Sequence, residues 1–424
     1  MSLAVTGLGQ QGEGLAILDG NRIYVADVLP GETVRATLTD QLDRDVFRAT
    51  VEAIEVPSAT RVAPPCVYYD ACGGCTLQHM ETQAYRTWKV DQVRATLSRG
   101  RINPLQWDEP IFIPQATRRR ATFAVLKQGT RLLAGFHGRR SHQIASIEAC
   151  LLIRPEIMTA LEQAKPWLLK VLKEGKAASL FVQEVGGAVE AVLTGPLVAD
   201  GGDLRIREAF AEWSAASGLS RISWRPQDGR EPEIMIQTRR LLATFGPLTV
   251  DLPPGAFLQP SREGEVALVG TVLDFLNESG HKPAKTIADL FAGCGTFTGP
   301  LLDHGPVMAV ESDSAPIDAL RGARGGRRLM VDKRDLLTQP LRKADLTKVD
   351  VVVIDPPRAG AKPQAAELTR SDVPAVIYVS CNPVSFAKDA SVLLGGGFKL
   401  QRVRVVDQFI WSAHTELAGL FTRA

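Results

Sequence analysis

The chain has 424 residues, 45% hydrophobic and 23% charged, with a formal net charge of +2. That length holds two to four domains with their own cores, and the composition excludes a disordered or fibrous chain. No run approaches the roughly 18 apolar residues that span a membrane, and the start, MSLAVTGLGQ, lacks the basic and apolar regions of a signal peptide. A cytoplasmic protein with no membrane partner is expected. In that compartment its 6 cysteines read as metal ligands, nucleophiles or core fillers rather than disulfides. Charge is unevenly spread. Residues 1–60 carry 4 Lys/Arg against 9 Asp/Glu, whereas residues 84–150 carry 12 against 4. A polyanion would meet the second segment first.

Residues 1–56 read as a small all-β unit. Leu15–Leu18, Ile23–Val28, Val34–Leu38 and Val46–Ile54 are strand-like, punctuated by Asp19-Gly20 and Pro30-Gly31. The length suits a five-stranded barrel of the oligonucleotide-binding kind.

Residues 57–250 follow, an α+β region that opens with the loop PPCVYYDACGGCTLQ. Cys66, Cys72 and Cys75 have the spacing C-x5-C-x2-C, and Gly73-Gly74 let the backbone wrap closely around a bound centre. With Cys150 as a fourth thiolate the set could hold zinc or an iron–sulfur cluster, and spacing alone does not choose. Tyr85–Leu97, Pro155–Glu174 and Leu204–Gly218 read as helices. The basic groups Arg118-Arg119-Arg120 and Arg139-Arg140 flank strand-like Ala121–Lys127 and His142–Ile147. They form either a solvated face or a phosphate-binding surface. Phe181–Val185 and Ala188–Leu193 are joined by Gly186-Gly187, the pair that favours a two-residue hairpin.

From 251 the pattern alternates strand and helix, which predicts a Rossmann-like, doubly wound parallel sheet. Ser261 caps a helix to Asn277, with Gly280 beyond its end. Strands are expected at Thr286–Phe291, Val307–Val310, Arg328–Val331, Asp350–Ile354, Val376–Val379 and Val403–Phe409. DLFAGCGTF (Asp289–Phe297) is a strand, a glycine turn and a helix start, and Glu311 follows Asp289 by 22 residues. An acidic residue there can accept from both ribose hydroxyls of an adenosine. Pro300 occupies the third glycine position of a dinucleotide fingerprint, so S-adenosylmethionine fits better than a pyrophosphate ligand. Asp335 follows the third strand and could reach adenine. Asp355 is presented by Pro356-Pro357 at the sheet's carboxyl edge. VIYVSCNP (Val376–Pro383) is a buried strand that ends in a thiol, Cys381.

A thiolate, a carboxylate and an adenosine site on one sheet suit methyl transfer to a pyrimidine C5. Cys381 is the candidate nucleophile and Glu416 the candidate base. On the residues alone, a structural cysteine and an exposed glutamate are equally good readings.

DLFAGCGTF, IDPPRAG, VSCNP and DQFIWSAHTE together resemble the S-adenosylmethionine-dependent RNA (uracil-C5)-methyltransferases. The cysteine set, with GFHGRRSHQIASIEAC ending at Cys150, resembles the 23S rRNA branch, whose members carry a [4Fe-4S] cluster. The amino-terminal barrel resembles a TRAM domain. The resemblance implies a three-part chain: a barrel at 1–56, an iron–sulfur loop and RNA-binding α+β region at 57–250, and a methyltransferase domain at 251–424. It also implies a monomer acting on a flipped-out uridine of 23S rRNA. Cys381 would be the nucleophile and Glu416 the base, and Cys66, Cys72, Cys75 and Cys150 would bind the cluster rather than zinc. Gln259, Phe291, Thr296, Glu311, Asp335 and Asp355 would line the cofactor and base pocket. The chain departs from the family at Thr296, Asp335 and Ser261, where asparagine is usual, at Ile410-Trp411-Ser412, and in its acidic barrel. A non-catalytic RNA-binding or redox-sensing relative and a cytosine-C5 enzyme are the alternatives.

Overall fold

The computed structural model describes residues 1–281 and 283–423. The chain forms two compact units. One comprises Met1–Ala95, His137–Ala145 and Phe409–Thr415; the other comprises Thr96–Phe136, Ser146–Gln408 and the segment from Glu416 onward.

In the first unit, β1 (Ser2–Leu8), β2 (Gly14–Leu18), β3 (Asn21–Val25), β4 (Thr33–Asp43) and β5 (Val46–Val56) close into a barrel, order β1-β2-β3-β5-β4. Strand alternation turns Leu3, Val5, Ala16, Ile23, Val25, Val34 and Ala36 into its core. The strand that the sequence pattern does not predict is β1. Its apolar run, Leu3-Ala4-Val5, is short and followed by Thr6-Gly7, and pairing with both β2 and β4 completes it. Helix α1 (Thr82–Arg99) follows the cysteine loop.

In the second unit, the short β6 (Gln106–Trp107) and β7 (Ile111–Phe112) precede a seven-stranded sheet. That sheet is built from β8 (Arg120–Gln128), β9 (Arg131–His137), β10 (Ile144–Ser146), β11 (Ala177–Val185), β12 (Ala188–Thr194), β13 (Arg221–Arg225) and β14 (Glu233–Gln237), in the order β10-β9-β8-β11-β12-β13-β14. Helices α2 (Pro155–Val171) and α3 (Leu204–Ser217) accompany it, and Gly218 ends α3 in the left-handed conformation expected of a helix-terminating glycine. The Gly186-Gly187 hairpin pairs Val185 with Ala188. A two-stranded hairpin, β15 (Leu242–Phe245) and β16 (Leu248–Asp251), leads to α4 (Arg262–Glu278), whose cap Ser261 accepts from Gly264 N–H at 3.0 Å.

The remaining elements are β17 (Ile287–Leu290), α5 (Thr298–Leu301), β18 (Val307–Glu311), α6 (Ser314–Ala323), β19 (Leu329–Lys333), β20 (Val351–Ile354), α7 (Lys362–Arg370), β21 (Ala375–Ser380), α8 (Pro383–Gly395), β22 (Phe398–Asp407) and β23 (Glu416–Arg423). With β6 they form a sheet of order β19-β18-β17-β20-β21-β23-β22-β6, and β7 also pairs with β22. Strands β17, β20 and β21 are buried throughout, as strands covered on both faces must be. The sheet is not wholly parallel. β23 runs antiparallel to both β21 and β22. Only Gln408–Thr415 separate β22 from β23, too few for the crossover that parallel neighbours need. No helix among the described residues is long and apolar enough to cross a membrane.

Candidate active site

Strands β18, β17, β20 and β21 are parallel neighbours, so their carboxyl ends open on one edge of the sheet. Beyond β17 the chain turns through Phe291, Gly293 and Gly295, with φ of 62°, 54° and 101°. A bulky aromatic in the left-handed region is rare, and strain of this kind gathers at ligand sites. Gly295 has no room for a side chain, since a Cβ would lie 2.7 Å from Leu320. Glu311, ending β18, is pinned by three amides. Gly293 N–H donates to its Oε2 at 3.0 Å, while Ser312 and Asp313 N–H donate to Oε1 at 2.6 and 3.0 Å. Thr296 is partly accessible on the same turn. Asp335 is exposed after β19, and its carboxylate accepts from Leu337 N–H at 3.0 Å and Thr338 Oγ1 at 2.9 Å.

The edge is acidic. Asp289 is buried on β17; Thr298 Oγ1 donates to its Oδ2 at 2.5 Å, and Oδ1 has no hydrogen-bond partner among the described residues. Burial, aided by the charges of Asp355 and Glu311, pushes Asp289 up to about 7. Burial likewise pushes Asp355 up to about 7. Buried carboxyls held up in this way would be relieved by a cationic ligand, and a sulfonium is one.

The pairing of β21 with β23 sets Ser380 opposite Leu417, so Cys381 and Glu416 each lie one residue beyond that pair on the same side. Cys381 is partly accessible and precedes α8, whose cap Asn382 accepts from Val384 N–H at 3.0 Å. Asn382 also donates through Nδ2 to the Arg358 carbonyl at 3.0 Å, tying this loop to the one bearing Asp355. Burial and then the carboxylates of Glu416 and Asp355 push the thiol up to about 11, against a pull downward from Arg358. Glu416 is buried. Its Oε1 accepts from Gln408 Nε2 at 3.3 Å, and the same nitrogen donates to Gln259 Oε1 at 2.9 Å. Cys294 is buried in the glycine turn, and burial pushes its thiol up to about 12.

In the other unit the cysteine loop folds on itself. Cys72 N–H donates to Tyr68 O at 2.8 Å, and Gly74 N–H donates to Cys72 Sγ at 3.4 Å, the kind of contact that steadies charge on sulfur. Gly73 is needed because a Cβ would come within 2.7 Å of His137 O. Cys66, Cys72 and Cys75 are partly accessible, and three thiols suit a thiophilic metal centre in chemistry. As placed, however, no three His, Cys, Asp or Glu side chains among the described residues converge to hold a metal ion. Cys150 is partly accessible and belongs to the second unit. Directly after Cys75, Thr76 and Leu77 N–H donate to Trp411 O at 2.7 and 3.1 Å, and Trp411 N–H donates to Tyr85 Oη at 3.0 Å. Buried Lys89 donates to the carbonyls of Phe409 and His414.

The basic clusters are only partly available to phosphate. Arg119 is buried and paired with Glu265 at 2.5 Å, while Arg139 is paired with Asp27 and donates to Cys75 O at 3.0 Å. Arg120 lies over the exposed Phe257 ring, 4.3 Å from its centroid. Of the residues named from sequence, the structure brings Cys381, Glu416, Asp355 and Gln259 to one region of the second unit, with Glu311, Phe291 and Thr296 along the same edge. Gln408 and Arg358 were not among them. A signal existed for Gln408, which with Asp407 is polar just beyond the strand-like Val403-Arg404-Val405-Val406.

A tRNA (Uracil-5-)-methyltransferase family profile matches residues 329–424. An uncharacterized RNA methyltransferase of Caulobacter vibrioides is 40% identical over 99% of this chain and 99% of its own length. The 23S rRNA (uracil(1939)-C(5))-methyltransferase RlmD of Halomonas elongata is 32% identical over 98% of this chain and 88% of its own. Among solved structures, the tRNA (uracil-54, C5)-methyltransferase of Pyrococcus abyssi in complex with S-adenosyl-L-homocysteine matches the fold with a TM-score of 0.74, covering 100% of both chains at 20% identity. With the sheet order, the acidic strand ends and near full-length kinship in agreement, this chain belongs to the S-adenosylmethionine-dependent RNA (uracil-C5)-methyltransferases.

Proposed function

We propose that the protein methylates C5 of a uridine in 23S rRNA, giving 5-methyluridine, with Cys381 as nucleophile and Glu416 as base. The observation that carries this reading is the register of β21 and β23, which brings together two residues 35 apart in sequence. Pyrimidine C5 is a poor nucleophile in the free base. Addition of the Cys381 thiolate to C6 moves the C5–C6 π pair toward O4 as an enolate, and C5 then attacks the sulfonium methyl. The methyl–sulfur bond breaks and S-adenosylhomocysteine leaves. Glu416 takes the C5 proton, the freed pair re-forms the double bond, and Cys381 leaves C6 as thiolate. Glu311 is suited to accept from the ribose hydroxyls; Phe291, Thr296, Asp355 and Gln259 line the pocket. Asp335 is the weakest of this set, because its carboxylate already closes a turn. The ribosomal target rests on kinship with the Halomonas enzyme, and a base in a loop is the cheaper one to extrude, since flipping costs a few kcal/mol.

The three-part division at 56/57 and 250/251 belongs to this proposal, with the barrel as a TRAM-like module. So does a [4Fe-4S] cluster on Cys66, Cys72, Cys75 and Cys150, supported by the thiolate donor set and the Gly74-to-Cys72 contact.

The direct test is methyl transfer from labelled S-adenosylmethionine to 23S rRNA transcripts. Activity should fall to background in Cys381→Ala, and nucleoside analysis of the wild-type product should show 5-methyluridine. Undiminished turnover in the variant would remove the nucleophile assignment.

A further inference from the structure

Gln408 is buried after the last residue of β22, and its carboxamide nitrogen has two protons. Both are used. One goes to Glu416 Oε1 and the other to Gln259 Oε1. Its own oxygen, Oε1, is buried with no hydrogen-bond partner among the described residues, so the orientation is chosen for what the nitrogen does. A second feature supports the placement. Gly264 lies in the first turn of α4, where glycine costs roughly 1 kcal/mol of helix propensity relative to alanine. A Cβ there would collide with Gln408 Oε1, lie 2.9 Å from the capping Ser261 Oγ and sit 3.1 Å from Gln408 Cβ. The helix gives up a side chain to seat this amide.

We infer that Gln408 is a positioning residue for the reaction, one amide group that sets the working state of both Glu416 and Gln259. A donor on Oε1 favours the ionised carboxylate, the form that can receive the C5 proton. A donor on Gln259 Oε1 fixes the other amide with its oxygen toward Gln408. Gln259 Nε2, which makes no hydrogen bond within the described residues, is thereby left as the group the pocket meets. Gln259 then offers donors and no acceptor. That polarity suits a carbonyl oxygen on which charge gathers, as the enolate requires. Cytosine, with an amino group in place of O4, would meet donor against donor.

This inference rests on the base assignment for Glu416, so the experiment separates the two. Glu416→Gln, Gln408→Leu and Gly264→Ala are compared on RNA carrying 5-³H- or 5-²H-uridine, with fold checked by circular dichroism. Glu416→Gln should trap a covalent RNA adduct on a denaturing gel; if it does not, the base assignment fails. Gln408→Leu should still form the adduct and methylate in the first turnover, but more slowly than wild type because Gln259 is no longer oriented toward the enolate. It should release tritium about tenfold or more slowly still. It should also show a deuterium isotope effect and have the acid limb of proton release moved to higher pH, because its Glu416 has lost a donor. Gly264→Ala, which displaces the same amide without changing its chemistry, should behave likewise and decides the matter if Gln408→Leu does not fold. Adduct from Glu416→Gln, together with tritium release at the wild-type rate and an unmoved pH profile in the folded Gln408 and Gly264 variants, would overturn the role of Gln408 alone.

Discussion

Cys381, the proposed nucleophile, is held mostly as a thiol. With its ionisation pushed up to about 11 by burial and by the carboxylates of Glu416 and Asp355, little thiolate exists at neutral pH. The sign is direct: a raised acid group stays protonated below its new value and gains charge only as pH climbs toward it. Two consequences follow at the level of single residues. Activity should rise with pH between about 7 and 9, and Glu416→Gln, which deletes one of the opposing charges, should lower the thiol's ionisation point. Iodoacetamide labelling of the Cys381 peptide, followed by mass spectrometry at about pH 8, should then be about three- to tenfold faster in Glu416→Gln, because a thiol whose pKa falls by about 1 carries roughly ten times the thiolate at a pH well below it. Equal labelling rates would mean that the carboxylate does not face the thiol. Why the thiol is not permanently activated also has a physical reading. A standing, accessible thiolate is open to oxidation, and a group kept protonated at rest limits that loss.

Among the elements, the connection between β22 and β23 is the most consequential. It runs from Gln408 to Thr415 and delivers Glu416 to the head of the last strand. Its carbonyls are satisfied by the segment after Cys75 and by Lys89, whose ammonium is buried against Phe409 and His414. A buried ammonium persists only where acceptors surround it. Lys89→Met should therefore remove one donor from each of these carbonyls, leaving Phe409 O with those of Ser412. Hydrogen exchange should quicken in residues 409–415 while β17, β20 and β21 keep their protection. Unchanged exchange in that loop would show that the backbone amides of Thr76 and Leu77 suffice to hold it. The short connection also explains the antiparallel strand. A chain that must return within a few residues can only lie beside β22 in the opposite sense, and that sense is what brings Glu416 to the edge carrying Cys381.

For the whole molecule, the cysteine loop is where the proposed cluster can be tested. Protein purified without oxygen, or reconstituted with iron and sulfide, should show broad visible absorption at about 400 nm, from sulfur-to-iron charge transfer in a cluster held by thiolates. Cys75→Ser should bleach it, and a colourless protein with stoichiometric zinc would contradict the cluster. Much of the architecture could be read from the chain itself. Buried parallel strands announce themselves as unbroken apolar runs, such as Val351–Ile354 and Ala375–Val379, because both faces are covered. Glycines at 293 and 295, the Ser261 cap and the proline-bounded strand ends likewise declare local geometry, since each is a residue type whose backbone or side chain permits few alternatives. The place of Cys381 at a strand end was legible for the same reason. Pairing and register were not. Strand β1 forms because two neighbours complete it, β23 reverses because its connection is short, and the Gln408 amide has its place because Gly264 leaves space for it. The first and last are properties of residues far apart in sequence that only the folded chain brings into contact, while the reversal of β23 depends on which neighbours its short connection returns to. Local composition therefore set the buried central strands and where the thiol stands, while tertiary packing decided which carboxylate lies beside it and which amide bonds to that carboxylate.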